Sequence, residues 1–215
     1  MNHKIIKNIK EELLKPLPGL EFQAKMAPAK RLENYNPNPE FAKKGGVLLF
    51  LYNVDNELYI ALIKRAKDNG AHSGQIAFPG GKQEKQDKSL IETALRETEE
   101  EIGISTNIIE ILGTLTNLYI PVSNYNVFPA VGFCNSAPKF NINKNEVENM
   151  VLLPLKEFFK DKNKKKGAIT VKNQKIKTLF YEINNQIIWG ATAMIISEFN
   201  EVTLRMSSNN NSHYF

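Results

Sequence analysis

The stretch from Gln75 to Ile104 carries most of the local signals that fix this chain's path. Gln75–Phe78 reads as a short strand, and Pro79-Gly80-Gly81 as a tight turn in which paired glycines let backbone approach a ligand closely. Ser89 followed three residues later by Glu92 is a capping box, and Gly103 stands where a helix C-cap is expected. A helix is therefore predicted from Ser89 to Ile102. At about 100° per residue, Glu97, Glu100 and Glu101 share an arc of roughly 100° on one helix face. Ile91, Ala94, Leu95, Thr98 and Ile102 form a neighbouring stripe suited to packing on a sheet.

Four of the five residues from Glu97 to Glu101 are acidic, and they sit toward the negative end of the helix dipole. Like-charge pairs at this spacing cost a few tenths of a kcal/mol each when exposed. A structural helix gains nothing from them, whereas a hard cation such as Mg2+ takes carboxylate oxygens as ligands and reverses the repulsion. Arg96 is placed to neutralise or orient one carboxylate. An acidic helix end alone reads as a solvated face; the strand and glycine turn upstream make this unit a candidate site.

The chain's 215 residues suffice for one substantial core but crowd two. No apolar run approaches the roughly 20 residues that span a bilayer, the N-terminus lacks the apolar stretch of a secretory signal, and the single Cys134 cannot form an internal disulfide. A cytoplasmic protein without a membrane partner is expected. The formal net charge of +5 owes much to Lys160–Lys166, read as a solvated loop, so nucleic acid is not the expected partner.

Along the chain, residues 1–41 read as an N-terminal arm packed on the domain. Ile5, Ile6, Ile9, Leu13 and Leu14 recur at helical spacing, Pro16 and Pro18 close that helix, and Pro28, Pro37 and Pro39 suggest an extended path. Val47–Tyr52 and Leu58–Lys64 form a hairpin about Asp55-Asn56. Further strands are predicted at Ile108–Leu115, Asn126–Cys134, Met150–Leu153, Leu179–Ile183 and Gln186–Trp189, with helices at Leu155–Lys160 and Ala191–Asn200. The domain spans 42–203 as an α/β fold, a mixed β-sheet sandwiched between α-helices, and 204–215 read as a flexible tail.

Gly81, with Asp87 six residues on and Arg96-Glu97-Thr98-Glu99-Glu100-Glu101-Ile102-Gly103-Ile104 closing the motif, resembles the signature of the Nudix hydrolase family. Asp87 stands where that signature has Glu, eight rather than seven residues separate it from Arg96, and Thr98 replaces an aliphatic residue. The resemblance implies the Nudix fold, Mg2+ or Mn2+ held by Glu97, Glu100 and Glu101, and hydrolysis of a diphosphate bond in a small nucleotide-derived molecule. Homodimers are common in that family, which by analogy makes one open here.

Leu62-Ile63-Lys64-Arg65-Ala66, Gly74-Gln75 and Phe78-Pro79-Gly80-Gly81 are also similar to the extended motif of the coenzyme A pyrophosphatase branch, as are Asn145-Glu146-Val147, Leu153-Pro154-Leu155 and Ile188–Ala193. The motif's second arginine falls at Gly70, with Lys67 and His72 the nearest polar candidates. Coenzyme A or an acyl derivative is the expected substrate, with ADP-ribose, NADH and dinucleotides as alternatives. The expected catalytic set is Glu97, Glu100, Glu101 and Arg96, with Glu146 first and Glu148 second among outside candidates for general base. Arg65, His72, Gly80 and Gly81 are the expected substrate contacts. A non-catalytic nucleotide-binding regulator and an RNA-end hydrolase are the rival classes. Trp189 reads as core, and Cys134 as a buried strand residue.

Overall fold

A computed structural model describes residues 2–28, 31, 39–68, 70, 72–171 and 174–210, so Pro37 and the last five residues lie outside the described residues. Strands β1 (Lys43–Val54) and β2 (Glu57–Arg65) form the expected hairpin. Asp55 and Asn56 turn it with φ of 48° and 63°, the left-handed pair that matches strand twist. β1 runs parallel to β7 (Tyr125–Cys134), while β5 (Glu110–Thr114) and β6 (Leu118–Ile120) pair antiparallel with β7, so the sheet is mixed. β8 (Val147–Pro154) covers the outer side of β2.

β1 and β2 stop pairing beyond Phe50 and Ala61. The gap takes two short strands, β3 (Ile76–Ala77) on β2 and β4 (Gly80–Lys82) on β1. The glycine turn is thereby wedged into the middle of the sheet, directly under helix α3 (Leu90–Ile102).

Side chains alternate across β1. Leu48, Phe50 and Tyr52 join Ala61 and Ile63 under Ala94 and Ile102 of α3. Leu49 and Leu51 face the other way with Ile60 and Leu62, against α1 (Asn2–Leu13) and α4 (Gly190–Asn210). This is the helix–sheet–helix sandwich the sequence implies. α1 buries Ile5, Ile6, Ile9 and Leu13 on that second face, while Leu14 is left exposed. A second short helix, α2 (Leu20–Ala24), lies on α4. The fully buried Glu198 of α4 accepts hydrogen bonds from Gly19 N (3.0 Å), Gln23 Nε2 (2.8 Å) and Thr116 Oγ1 (2.6 Å), fastening the arm to the body.

Three readings of the sequence need correction. Lys160–Lys166 is not one loop: Asp161–Asn163 is a 3-10 turn, and Lys164–Lys166 open β9 (Lys164–Val171). β9 is the edge of an antiparallel sheet with β10 (Gln174–Ile183) and β11 (Gln186–Trp189), where lysines discourage pairing with another chain. Leu155–Phe159 is a 3-10 turn, not an α-helix. The segment read as a tail from residue 204 continues α4 to Asn210, because Val202 and Met206 keep the helix anchored in the core. Among the described residues no helix is long and apolar enough to cross a membrane.

Candidate active site

α3 begins and ends where its caps dictate. Ser89 accepts from Glu92 N at 3.1 Å, and Gly103, at φ 69°, closes the C-terminus with its N–H on Glu99 O. The carboxylate of Glu92 reaches one residue further back than a capping box requires, taking Lys88 N at 2.8 Å. A Cβ at Gly46 would strike Leu90 O, so the first turn of α3 rests on the bare backbone of β1. Gly45-Gly46 is a second glycine pair facing the turn, and Gly46 pairs with Gly81.

Arg96 organises the exposed side of the site. Its Nε and Nη2 grip Asp87 Oδ1 and Oδ2 at 3.0 Å each, and Nη2 also donates to Lys82 O. Nη1 forks between Glu97 Oε1 and Glu100 Oε2, again at 3.0 Å each. Asp87 accepts further from Thr93 Oγ1 and Glu84 N. The hydrogen bonds from Arg96 hold the Asp87 carboxyl well below the usual carboxylate range, and Asp87 in turn raises the arginine's affinity for its proton. The shorter acid is therefore a seat for the arginine, two steps from the glutamates, and the longer spacing to Arg96 is compatible with that bidentate grip.

Glu101 lies beneath this layer. Only 1% of its side chain is exposed; Oε2 accepts from Gly80 N at 2.9 Å and Oε1 from Arg65 Nη1 at 3.3 Å. Burial pushes its carboxyl up to about 7, against the opposing pull of the Gly80 N–H and Arg65. Burial also raises Glu97, outweighing Arg96. The charge of Glu146 pushes both of these glutamates in the same direction. Asn143 Nδ2 holds Glu146 at 3.0 Å. Glu148 is ion-paired with Lys64 at 2.6 Å.

The expected substrate contacts have different occupations. Gly80 and Gly81 hold carboxylates: one donates to Glu101, and a Cβ on the other would overlap the Glu97 carboxylate. Arg65 is ion-paired with Glu101. His72 bridges Gln75 Oε1 (3.2 Å) and Ser123 Oγ (3.1 Å), tying its loop to the turn between β6 and β7. At the arginine position of the longer motif, Gly70 N folds onto Asp68 Oδ1 at 2.8 Å, offering a carboxylate where that motif has a cation. Cys134 is buried in β7 as expected, but Trp189 is only half-buried and borders an open cleft.

Among the described residues no three His, Cys, Asp or Glu side chains are gathered as a ready cage for an ion. The three glutamates share a helix face, but Glu97 and Glu100 lean on Arg96 and Glu101 on Gly80 and Arg65, because like charges spread onto whatever donors they find. The donor set nonetheless suits a hard divalent cation. Four carboxylates (Asp87, Glu97, Glu100 and Glu101) gather about two guanidiniums, and burial makes Glu97 and Glu101 resist ionisation.

Residues 42–173 match the NUDIX domain. Among curated proteins, the chain is 37% identical over 139 residues to an uncharacterized Nudix hydrolase NudL of Pectobacterium atrosepticum, covering 65% of this chain and 72% of that one. It is 31% identical over 189 residues to Nudix hydrolase 15, mitochondrial, of Arabidopsis thaliana, covering 85% of this chain and 65% of the relative, just under two thirds of its length. Nudix hydrolase 22, chloroplastic, from the same plant is 32% identical, with 87% of this chain and 61% of that one covered. The fold matches the crystal structure of a Nudix hydrolase from M. smegmatis, RenU, with a TM-score of 0.55 at 12% identity, over 76% of this chain and 87% of that one. With the glycine turn, the seated arginine and the glutamate face all in the region matched, the chain belongs to the Nudix family of diphosphate-bond hydrolases.

Proposed function

We propose that the chain hydrolyses the diphosphate bond of coenzyme A or an acyl-coenzyme A, giving 3',5'-ADP and (acyl-)4'-phosphopantetheine. The observation that carries the reaction is the layered carboxylate site: Glu97 and Glu100 forked on Arg96, Glu101 buried on Gly80. Glu97, Glu100 and Glu101 would hold Mg2+ or Mn2+, which supplies neutralisation of the phosphate charge and acidifies a water. Arg96, seated on Asp87, keeps Glu97 and Glu100 turned to one side. Glu146 takes the proton from the attacking water, and the second phosphate leaves. Arg65 is freed to meet a phosphate oxygen if Glu101 turns to the ion.

Coenzyme A is favoured by the motif running from Leu62 to Gly81. A specific observation supports a second reading: the Asp68 carboxylate beside Gly70 repels an anionic group where the coenzyme A motif has an arginine, so ADP-ribose, NADH or a dinucleotide remains the alternative. A cytoplasmic setting belongs to this proposal, although the plant relatives are named for the chloroplast and mitochondrion. The test is a panel with Mg2+ or Mn2+: coenzyme A, acetyl-coenzyme A, ADP-ribose, NADH, a diadenosine polyphosphate and 5'-triphosphorylated RNA. Preferred turnover of the two coenzyme A compounds is expected. Faster cleavage of ADP-ribose or NADH replaces the substrate, and binding without turnover of any compound replaces the enzyme with a regulator. Cleavage of the RNA with a steep loss in salt would favour the RNA-end reading.

A further inference from the structure

Away from the glutamates, a cleft of about 670 Å3 opens between the end of β2 and the sheet of β9, β10 and β11. Its volume is that of a small-molecule site. Ile169, Phe180, Ile187 and Trp189 give it an apolar wall, with Ile187 42% exposed to the opening. Its charged members are Lys64 and Asp68. The Lys64 ammonium is already 2.6 Å from Glu148, and Asp68 opposes an anion, so the cleft suits an uncharged guest. Polar side chains that line it, Asn185 and Gln186 among them, can meet amide groups.

The cleft adjoins the carboxylate site through two stretches of chain. Lys64 lines the cleft while the next residue, Arg65, bonds Glu101, and the strand register breaks between them. Ile76 lines it as well, and Gly80, four residues on, donates to Glu101. Four residues reach at most about 14 Å, which an extended arm of about a dozen bonds, each about 1.5 Å, can cross.

We propose that this cleft seats the uncharged, amide-bearing arm of the substrate with its apolar end, while the diphosphate lies at the glutamates. The arm's identity as pantetheine rests on the coenzyme A reading; the cleft's preference for a neutral, partly apolar chain does not. Trp189 is the chain's single tryptophan, so its fluorescence reports occupancy directly. In the full chain, pantetheine and octanoyl-pantetheine should each change that emission saturably, the acylated form binding at least about tenfold tighter. Adenosine 3',5'-bisphosphate should leave it unchanged. Ile187→Glu, at an exposed position, should weaken both about tenfold and raise KM for octanoyl-coenzyme A similarly while kcat moves less than about twofold. No response to either pantetheine compound at millimolar concentration overturns the proposal, as does a response to the bisphosphate, which would make the cleft a nucleotide site. If coenzyme A compounds are not cleaved yet pantetheine still titrates Trp189, the substrate reading falls and the cleft stands. If they are cleaved and Ile187→Glu leaves KM unmoved, the cleft alone falls.

Discussion

At Gly81 the room for a side chain is already filled by the Glu97 carboxylate, whereas at Gly80 a Cβ would drive into the backbone of Gly46 and Val47 at φ 146°. The two glycines should therefore fail differently. Gly81→Ala displaces a flexible carboxylate and should lower kcat at least about tenfold with a small change in Tm. Gly80→Ala strains the sheet itself and should cost about 1–3 kcal/mol, read by urea denaturation. Glu100→Gln, half-exposed on Arg96, should shift stability by less than about 1 kcal/mol yet cut kcat about 100-fold or more; equal activity would remove Glu100 from the metal set. Glu101 carries the pH dependence. Its folded value of about 7 lies above the ordinary 4.5, so the metal-free fold binds more protons than the unfolded chain between those values. The glutamate's contribution is thus largest below 4.5 and falls as pH rises toward 7, while Mn2+ affinity rises over the same interval because the ion takes the ionised form. Denaturation midpoints and Mn2+ titrations at pH 5, 6, 7 and 8 check both signs. The glutamate spacing was legible because one helix holds all three; the seat that Asp87 makes for Arg96 was not, since it depends on how the loop after β4 returns to the helix.

Elements with signals at their own ends were the legible ones. α3 is bounded by Ser89 and Gly103 and ends where its residues say, and the first hairpin turns at Asp55-Asn56. β4 is Gly-Gly-Lys and β6 is three residues long, too short to show a period, and both exist because a neighbouring strand offers them a place. β9 hid behind its lysines. α4 outran its sequence signal because burial of Met206 outweighs the weak helical preference of the residues that follow. α1 illustrates the opposite case, a helix whose pattern was plain and whose partner was not. Its Ile9 is fully buried, so Ile9→Ala should destabilise the whole fold by about 2–4 kcal/mol. A loss confined to the arm, with the rest melting unchanged, would show that α1 folds apart from the sheet.

For the molecule as a whole, the buried Glu198 is the knot between arm, sheet and last helix. Glu198→Ala leaves the donors of Gly19, Gln23 and Thr116 without their acceptor and should cost about 3–5 kcal/mol, seen as a lower Tm and faster proteolysis between α1 and β1. Its location has a consequence for synthesis. Gly19 and Glu198 stand 179 positions apart, and the face of the sheet they help seal is closed by α4, the last helix among the described residues. A ribosome making this chain translates α3 long before α4, so the apolar face that α4 covers has no cover until that helix is made. Closure of that face waits until α4 has left the exit tunnel. Only then can Glu198 take the waiting donors of Gly19, Gln23 and Thr116 together.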